Sequence, residues 1–255
     1  MKTQLKRILP TSAINLAGMF VSFMRPKIEN YLAYTNAVKN LEGIEIGGPS
    51  SKIRHQFPVY ENCAGLSFIN FSNKTIWEGE LSDSVNYYRK KIGKQYIAEA
   101  ADLSMFSDEK FDFLLSSNCL EHVANPIKAM SEWKRVIKGK IILLLPRKDF
   151  NFDHKRPITL FEHLIDDFNN DVGESDLTHL DEILSLHDLE LDPPAGSLEQ
   201  FHQRSLDNIN NRCLHHHVFD NKLVLEICDY LGMSILEQTV TKSDWIFLIE
   251  TNHKH

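Results

Sequence analysis

The run Ile141-Ile-Leu-Leu-Leu-Pro146 limits the fold more than any other segment. A strand with no polar face has to be covered on both sides, as strands are in parallel sheets packed between helices. Upstream, Phe111-Asp-Phe-Leu-Leu-Ser-Ser117 reads as another strand. Between the two, Ile127, Met130, Trp133, Val136 and Ile137 recur at helical spacing until Lys138-Gly139 closes the helix. Strand, helix and strand in that order form a β–α–β unit. The rhythm extends towards the N-terminus through short apolar runs at Gly43–Ile46, Leu66–Phe71 and Gln95–Ala100. It resumes near the C-terminus, where Leu223, Ile227 and Leu231 mark a helix stopped by Gly232. Ser234–Val240 and Trp245–Glu250 then read as an antiparallel strand pair. The pattern predicts an α/β fold with a doubly wound, mostly parallel sheet.

A chain of 255 residues with 42% hydrophobic and 25% charged residues buries one large core. Its net charge of -7 disfavours nucleic acid as the partner, because phosphate binding asks for a basic face. Cys63, Cys119, Cys213 and Cys228 form no C-x-x-C pair, so zinc-knuckle and thioredoxin-type motifs are absent. Reduced thiols fit a cytoplasmic location. Lys2, Lys6 and Arg7 precede an apolar stretch broken by Pro10, Thr11, Ser12 and Asn15, too polar for a transmembrane span and followed by no cleavage site. Residues 11–23 read as an amphipathic helix packed on the domain, with peripheral membrane contact as the alternative.

Between Arg147 and His217 the β–α rhythm stops. Helix candidates near Leu160–Phe168 and Leu177–His187 are followed by a break at Pro193-Pro194, and eight of the twelve histidines fall here, where an even spread would place three or four. Structureless loops of this length are uncommon, so the segment reads as a helical insertion over the carboxyl edge of the sheet. The expected organisation is an N-terminal helical extension (1–40), an α/β core (41–146), a helical acceptor-binding insertion (147–217) and the rest of the core (218–255).

The turn Glu45-Ile-Gly-Gly-Pro-Ser-Ser51 directly follows the first strand. Paired glycines let the backbone turn tightly and approach a ligand with no Cβ in the way. Open α/β sheets bind ligands at the carboxyl ends of their strands, near the switch in strand order. The spacing is not the G-x-G-x-x-G fingerprint, which argues against a nicotinamide-dependent oxidoreductase. Asp102 follows the third strand, where a carboxylate accepts from an exocyclic amine or serves as a turn acid. Ser116, Ser117 and Asn118 end the fourth strand.

Glu45-x-Gly-Gly, Asp102-Leu103 and the run from Phe111 through Leu120-Glu121-His122-Val123 to Asn125-Pro126 resemble the successive motifs of class I S-adenosylmethionine-dependent methyltransferases. With Trp133 and Arg135-Val136, they are similar to the broad group holding quinone and bacterial glycan-linked methyltransferases. The resemblance implies a Rossmann-like, seven-stranded sheet with an antiparallel C-terminal strand, and S-adenosyl-L-methionine as cofactor. It implies that Gly47 and Gly48 pass under the methionine part, with Ser50 in the same turn and Glu45 anchoring it. Asp102-Leu103 would meet the adenine and Ser117 the methionine end. The acid that the family carries at the end of the second strand is replaced by Asn70, with Glu78 as a substitute charge.

Methyl transfer to oxygen requires removal of a proton, and histidine is the usual base near neutral pH. The candidates are His154 beside Asp153, His187 beside Asp188, and His216 within the run His215-His216-His217. Solvation, helix capping and core hydrogen bonding are the alternatives for each. His179, Glu182 and His187, with Asp153 and His154, make an imperfect ligand set, and no resident metal is expected. The reading is a methyltransferase acting on an oxygen of a small or saccharide-linked acceptor, as in glycan biosynthesis. A quinone or other small molecule is the alternative acceptor, and an inactive binding module the alternative class.

Overall fold

Apolar side chains alternate across the central strands, so both faces of the sheet are covered. The computed structural model describes residues 28–76 and 79–253. The element order is α1 (Tyr31–Ala37), β1 (Glu42–Ile46), α2 (Ser51–Gln56), α3 (Val59–Asn62), β2 (Gly65–Asn70), β3 (Lys74–Thr75), β4 (Gly79–Glu80), β5 (Ser84–Tyr88), β6 (Lys91–Ile97) and β7 (Phe111–Ser117). Then follow α4 (Pro126–Val136), β8 (Ile137–Pro146), α5 (Phe161–Asn169), α6 (Leu180–Leu186), α7 (Leu198–Leu206), α8 (Asn208–Asn211), α9 (Asn221–Tyr230), β9 (Ser234–Val240) and β10 (Asp244–Glu250). The amphipathic helix expected over 11–23, and Glu78, lie outside the described residues.

The main sheet runs β5-β6-β2-β1-β7-β8-β10-β9. Strands β6, β2, β1, β7 and β8 are parallel, whereas β10 is antiparallel to β8 and β9. The eight strands are one more than the seven expected, and the addition is the edge strand β5, antiparallel to β6. Its sequence Ser-Val-Asn-Tyr-Tyr alternates with strand period, and a tight turn at Arg89 (φ 48°) folds it back onto β6. Chain order reverses between β1 and β7, which makes that gap the switch point.

On β8, Ile141, Leu143 and Leu145 pack with Ile127, Met130 and Trp133 of α4 and Leu223 and Ile227 of α9. Ile142 and Leu144 pack on the other face with Ile53, Phe57 and Tyr60. This two-sided burial is what an uninterrupted apolar strand demands. Lys138 and Gly139, expected to close the helix, already belong to β8, where the Gly139 carbonyl accepts from Thr251 N at 3.0 Å. Asn125 caps α4 by accepting from Lys128 N at 3.0 Å, worth about 1 kcal/mol, and Pro126 sets its first turn.

Between β8 and α9 lie four α-helices: α5 packs through Leu164 on the main core, while α6 and α7 gather on a small core of Ile183, Ala195, Phe201 and Leu214. Residues 212–220 cross from α8 to α9 without helix or strand. Among the described residues no helix is long and apolar enough to cross a membrane.

Candidate functional site

The glycine turn rests on a buried carboxylate. Gly47 has φ 74°, and a Cβ there would lie 3.0 Å from Cys119 Sγ. A Cβ on Gly48 would fall 2.3 Å from the Glu45 carboxyl carbon, so the second glycine is required by what lies beneath it. Glu45 is fully buried; Tyr60 Oη donates to it at 2.6 Å and Ser50 N at 3.0 Å. Burial nevertheless pushes its pKa from 4.5 up to about 7. Ser50 Oγ caps α2, accepting from Lys52 N at 3.2 Å, and donates to Ser117 Oγ at 2.9 Å, bridging β1's turn to β7. Asn70 closes the turn from the β2 side, donating its amide to the Gly48 carbonyl at 3.0 Å.

These residues floor a cavity of about 470 Å³ at the carboxyl ends of β1, β2, β6, β7 and β8, within the usual range for small-molecule sites. Of the positions expected to meet the cofactor, Gly47, Ser50, Asn70 and Ser117 line it, whereas Gly48 does not, and Glu45 supports the turn from below. Asp102 and Leu103 do not line it. Asp102 is exposed and accepts from Ser104 N at 3.1 Å, and Leu103 is buried in the core beneath α4. Glu99 faces the cavity in their place, paired with Arg212 at 2.6 Å. The chain leaves β6 at Ile97 and reaches the cavity edge at Ala98–Ala100, so by residue 102 it has turned away.

Opposite the turn the cavity is walled by Glu121, His122 and His215, whose polar atoms converge within 4.8 Å. Glu121 is 1% exposed, and neither carboxylate oxygen has a hydrogen-bond partner. Burial lifts its pKa to about 7, against the pull of His215 and Lys52. His122 Nδ1 lies 3.0 Å from the Leu214 carbonyl, and its ring meets that of His215 edge-on at 4.5 Å. His215 Nδ1 is bonded to Asp153 Oδ2. Burial opposes a charge on His215, but Asp153 outweighs it and raises the pKa. Buried Arg156 locks this arrangement, donating to Asp153 at 3.1 Å, Glu182 at 2.8 Å and the His215 carbonyl at 2.8 Å.

The other histidines singled out in the sequence lie elsewhere. His154 pairs with Asp188 at 2.9 Å outside the cavity. His187 is stacked on Phe152 at 4.4 Å and packed against Phe201 at 4.2 Å, a core position. His216 turns to Asn208 (3.1 Å), and burial lowers its pKa to about 4. Glu182 is held by Arg156, so the ligand set of His179, Glu182 and His187 does not assemble. Glu121 and His122 carried a signal in the Leu-Glu-His-Val motif. Glu174 and Arg212 carried none, because long-range folding alone brings them to the cavity.

A family model described as a methyltransferase domain matches residues 68–145. A protein of Methanocaldococcus jannaschii described as uncharacterized protein MJ1123 is 47% identical over 58 residues, covering 22% of this chain and 28% of the relative, so the chain spans well under a third of that relative's length. Among solved structures, an S-adenosylmethionine-dependent methyltransferase from Mesorhizobium loti superposes with a TM-score of 0.51 at 11% identity, over 86% of this chain and 95% of that one. A second such enzyme, from Aquifex aeolicus, gives 0.45 at 13% identity over 86% and 87%. The domain match and the first superposition agree on the Rossmann-like methyltransferase fold that the strand order describes.

Proposed function

We propose, from the premise that this chain carries a class I S-adenosylmethionine-dependent methyltransferase domain, that it methylates an oxygen of a small, hydroxylated acceptor, free or saccharide-linked. The reading is carried by Glu121, a buried carboxylate with both oxygens unpartnered on the cavity wall. An unpaired buried carboxylate is costly to keep, and a general base for a hydroxyl gives it a use.

The donor set fits the cofactor. The Cβ-free turn at Gly47 leaves room against Cys119, Ser50 and Ser117 offer hydroxyls, and Asn70 and Glu99 end the strands where ribose and adenine contacts are made in this fold. When bound, S-adenosyl-L-methionine supplies an electrophilic methyl group on a cationic sulphur. The acidic residues Glu99, Glu121 and Glu174 around the cavity favour that charge. Glu121 takes the proton of the acceptor hydroxyl, while His122 and His215 orient the acceptor by hydrogen bonding, with His215 held in place by Asp153. Phe152 and Phe71 line the cavity with Asn118 and Arg212, a mixture of apolar and polar groups suited to a sugar ring. The saccharide link rests on that lining and on general likeness of the motifs.

Glu121→Gln tests this with a panel of hydroxylated acceptors, read as methyl mass shift, beside calorimetry with S-adenosylhomocysteine. Turnover should fall roughly 100-fold or more with homocysteine-cofactor affinity kept. Because the base acts ionised, the wild-type rate should rise with pH through about 7, and the Gln variant's should not. The groups facing Glu121, namely His215, Lys52 and Asp153, set where that transition falls. Equal rates in both proteins overturn the base assignment. Failure of the folded wild type to bind S-adenosylhomocysteine makes the chain an inactive module.

A further inference from the structure

A second group of ligating side chains lies away from the cavity, on three separate pieces of chain. His163 and Asp167 stand one turn apart on α5, His179 precedes α6, and His217 belongs to the extended segment 212–220. His163 Nε2 lies 2.9 Å from His179 Nε2 and 3.2 Å from Asp167 Oδ2. Asp167 Oδ2 is 3.6 Å from His217 Nε2, and all four ligand atoms lie within 4.8 Å of one another. Asp167 is 8% exposed, and its Oδ2 has no hydrogen-bond partner although it faces this group. None of the four lines the cavity.

We propose that His163, Asp167, His179 and His217 bind one divalent transition metal, zinc by preference, in a closed structural site. Tetrahedral zinc with nitrogen and oxygen bonds of about 2.0–2.2 Å keeps its ligand atoms about 3.3–3.5 Å apart. The observed separations of 2.9, 3.2 and 3.6 Å straddle that value. Three borderline imidazole donors beside a single hard carboxylate suit zinc over magnesium or calcium. The four ligands fill a tetrahedron and leave no position for substrate, the mark of a structural site. Two imidazole nitrogens facing each other otherwise have to share one proton, and the buried carboxylate oxygen has nothing to accept. His217 Nε2 now meets the Ala124 carbonyl at 3.1 Å; coordination replaces that one hydrogen bond, and the ring proton moves to Nδ1, which is unpartnered. The metal would tie α5 and the start of α6 to the segment that carries His215 and Arg212 to the cavity, independently of what the cavity does.

The test uses the full chain and the metal alone. Plasma mass spectrometry should find about one zinc per chain. After stripping with a chelator, one equivalent of Co²⁺ should produce the strong visible bands of a tetrahedral complex. Asp167→Asn and His179→Gln should each abolish those bands and weaken zinc binding by on the order of 100-fold, with far-UV circular dichroism and S-adenosylhomocysteine binding retained. Glu121→Gln should leave the bands in place, since Glu121 belongs to the cavity group. Bands that survive both ligand substitutions, bands lost in Glu121→Gln, or no stoichiometric uptake by the wild type overturn the site. If the ligand variants do not fold, X-ray absorption of the zinc-loaded wild type decides: three imidazoles in a four-coordinate shell support it, and fewer than two overturn it.

Discussion

Glu99 faces the cavity from the end of β6 and is bound by Arg212, whereas Asp102 spends its carboxylate on Ser104 N and faces solvent. The first is therefore placed to contact a bound nucleoside and the second is not. Glu99→Gln should weaken S-adenosylhomocysteine binding by about 1.5–3 kcal/mol, the worth of a hydrogen bond to a charged group. Asp102→Asn should leave affinity within a few tenths of a kcal/mol, apart from a small loss of turn stability. Calorimetry on the two variants checks it, and a larger loss at Asp102 reverses the assignment. The composition of the Ala98–Asp102 stretch showed that an acid belongs there, but which acid depends on how many residues the strand spends before it turns. The histidine run poses the same problem. His215 and His217 share one side of an extended segment, meeting His122 and Ala124, and His216 points the other way to Asn208. The sequence shows three adjacent imidazoles; only a known neighbour tells which of them reaches the cavity.

At the scale of elements, α4 does more than cover the sheet. Trp133, fully buried, donates from its indole to the Ala100 carbonyl at 2.9 Å. Arg135 donates to the Leu103 and Phe106 carbonyls at 3.1 and 2.9 Å, and Glu132 accepts from Leu103 N at 3.0 Å. One helix thus holds the whole loop that presents Glu99. Trp133→Phe keeps most of the apolar volume but orphans the Ala100 carbonyl, and should cost about 1–3 kcal/mol. Urea denaturation measures that cost. S-adenosylhomocysteine affinity should also fall several-fold although Trp133 itself does not line the cavity, and unchanged affinity would show that the loop holds its shape alone. Strands β7 and β8 and helix α4 were legible in the sequence because their apolar spacing has one solution. The hairpin β3–β4 and the edge strand β5 were not, since short polar strands at a sheet edge carry too few buried positions to leave a pattern.

Over the whole molecule, three buried carboxyls, Glu45, Glu121 and Glu174, are each pushed by burial to about 7. A folded-state pKa above the unfolded value means that the folded chain binds more protons than the unfolded one, here between about 4.5 and 7. Each group therefore removes stability as pH rises through that window. Buried His216 works the other way, since its lowered pKa adds stability as pH rises from about 4 towards 6.5. Comparing Glu45→Gln with the wild type isolates one contribution. The variant's relative stability should increase by about 3 kcal/mol between pH 4.5 and 7.5, from a shift of 2.5 units at 1.36 kcal/mol each. Chemical denaturation at the two pH values reads the difference, and parallel curves refute it.

The two walls of the cavity also differ in how late in the chain their contacts are completed. Around the glycine turn, Glu45 meets Ser50 and Tyr60, Asn70 meets Gly48 and Ser50 meets Ser117, all within the first 117 residues. On the opposite wall, proposed to face the acceptor, His215 meets Asp153 across 62 residues, and Leu214 meets His122 across 92. During synthesis the glycine turn and its neighbouring strands are complete once residue 146 has been made, whereas the roof waits for residue 217 and for both helices that flank it. Birth order alone thus lets the nascent chain finish the floor of the cavity before its roof exists.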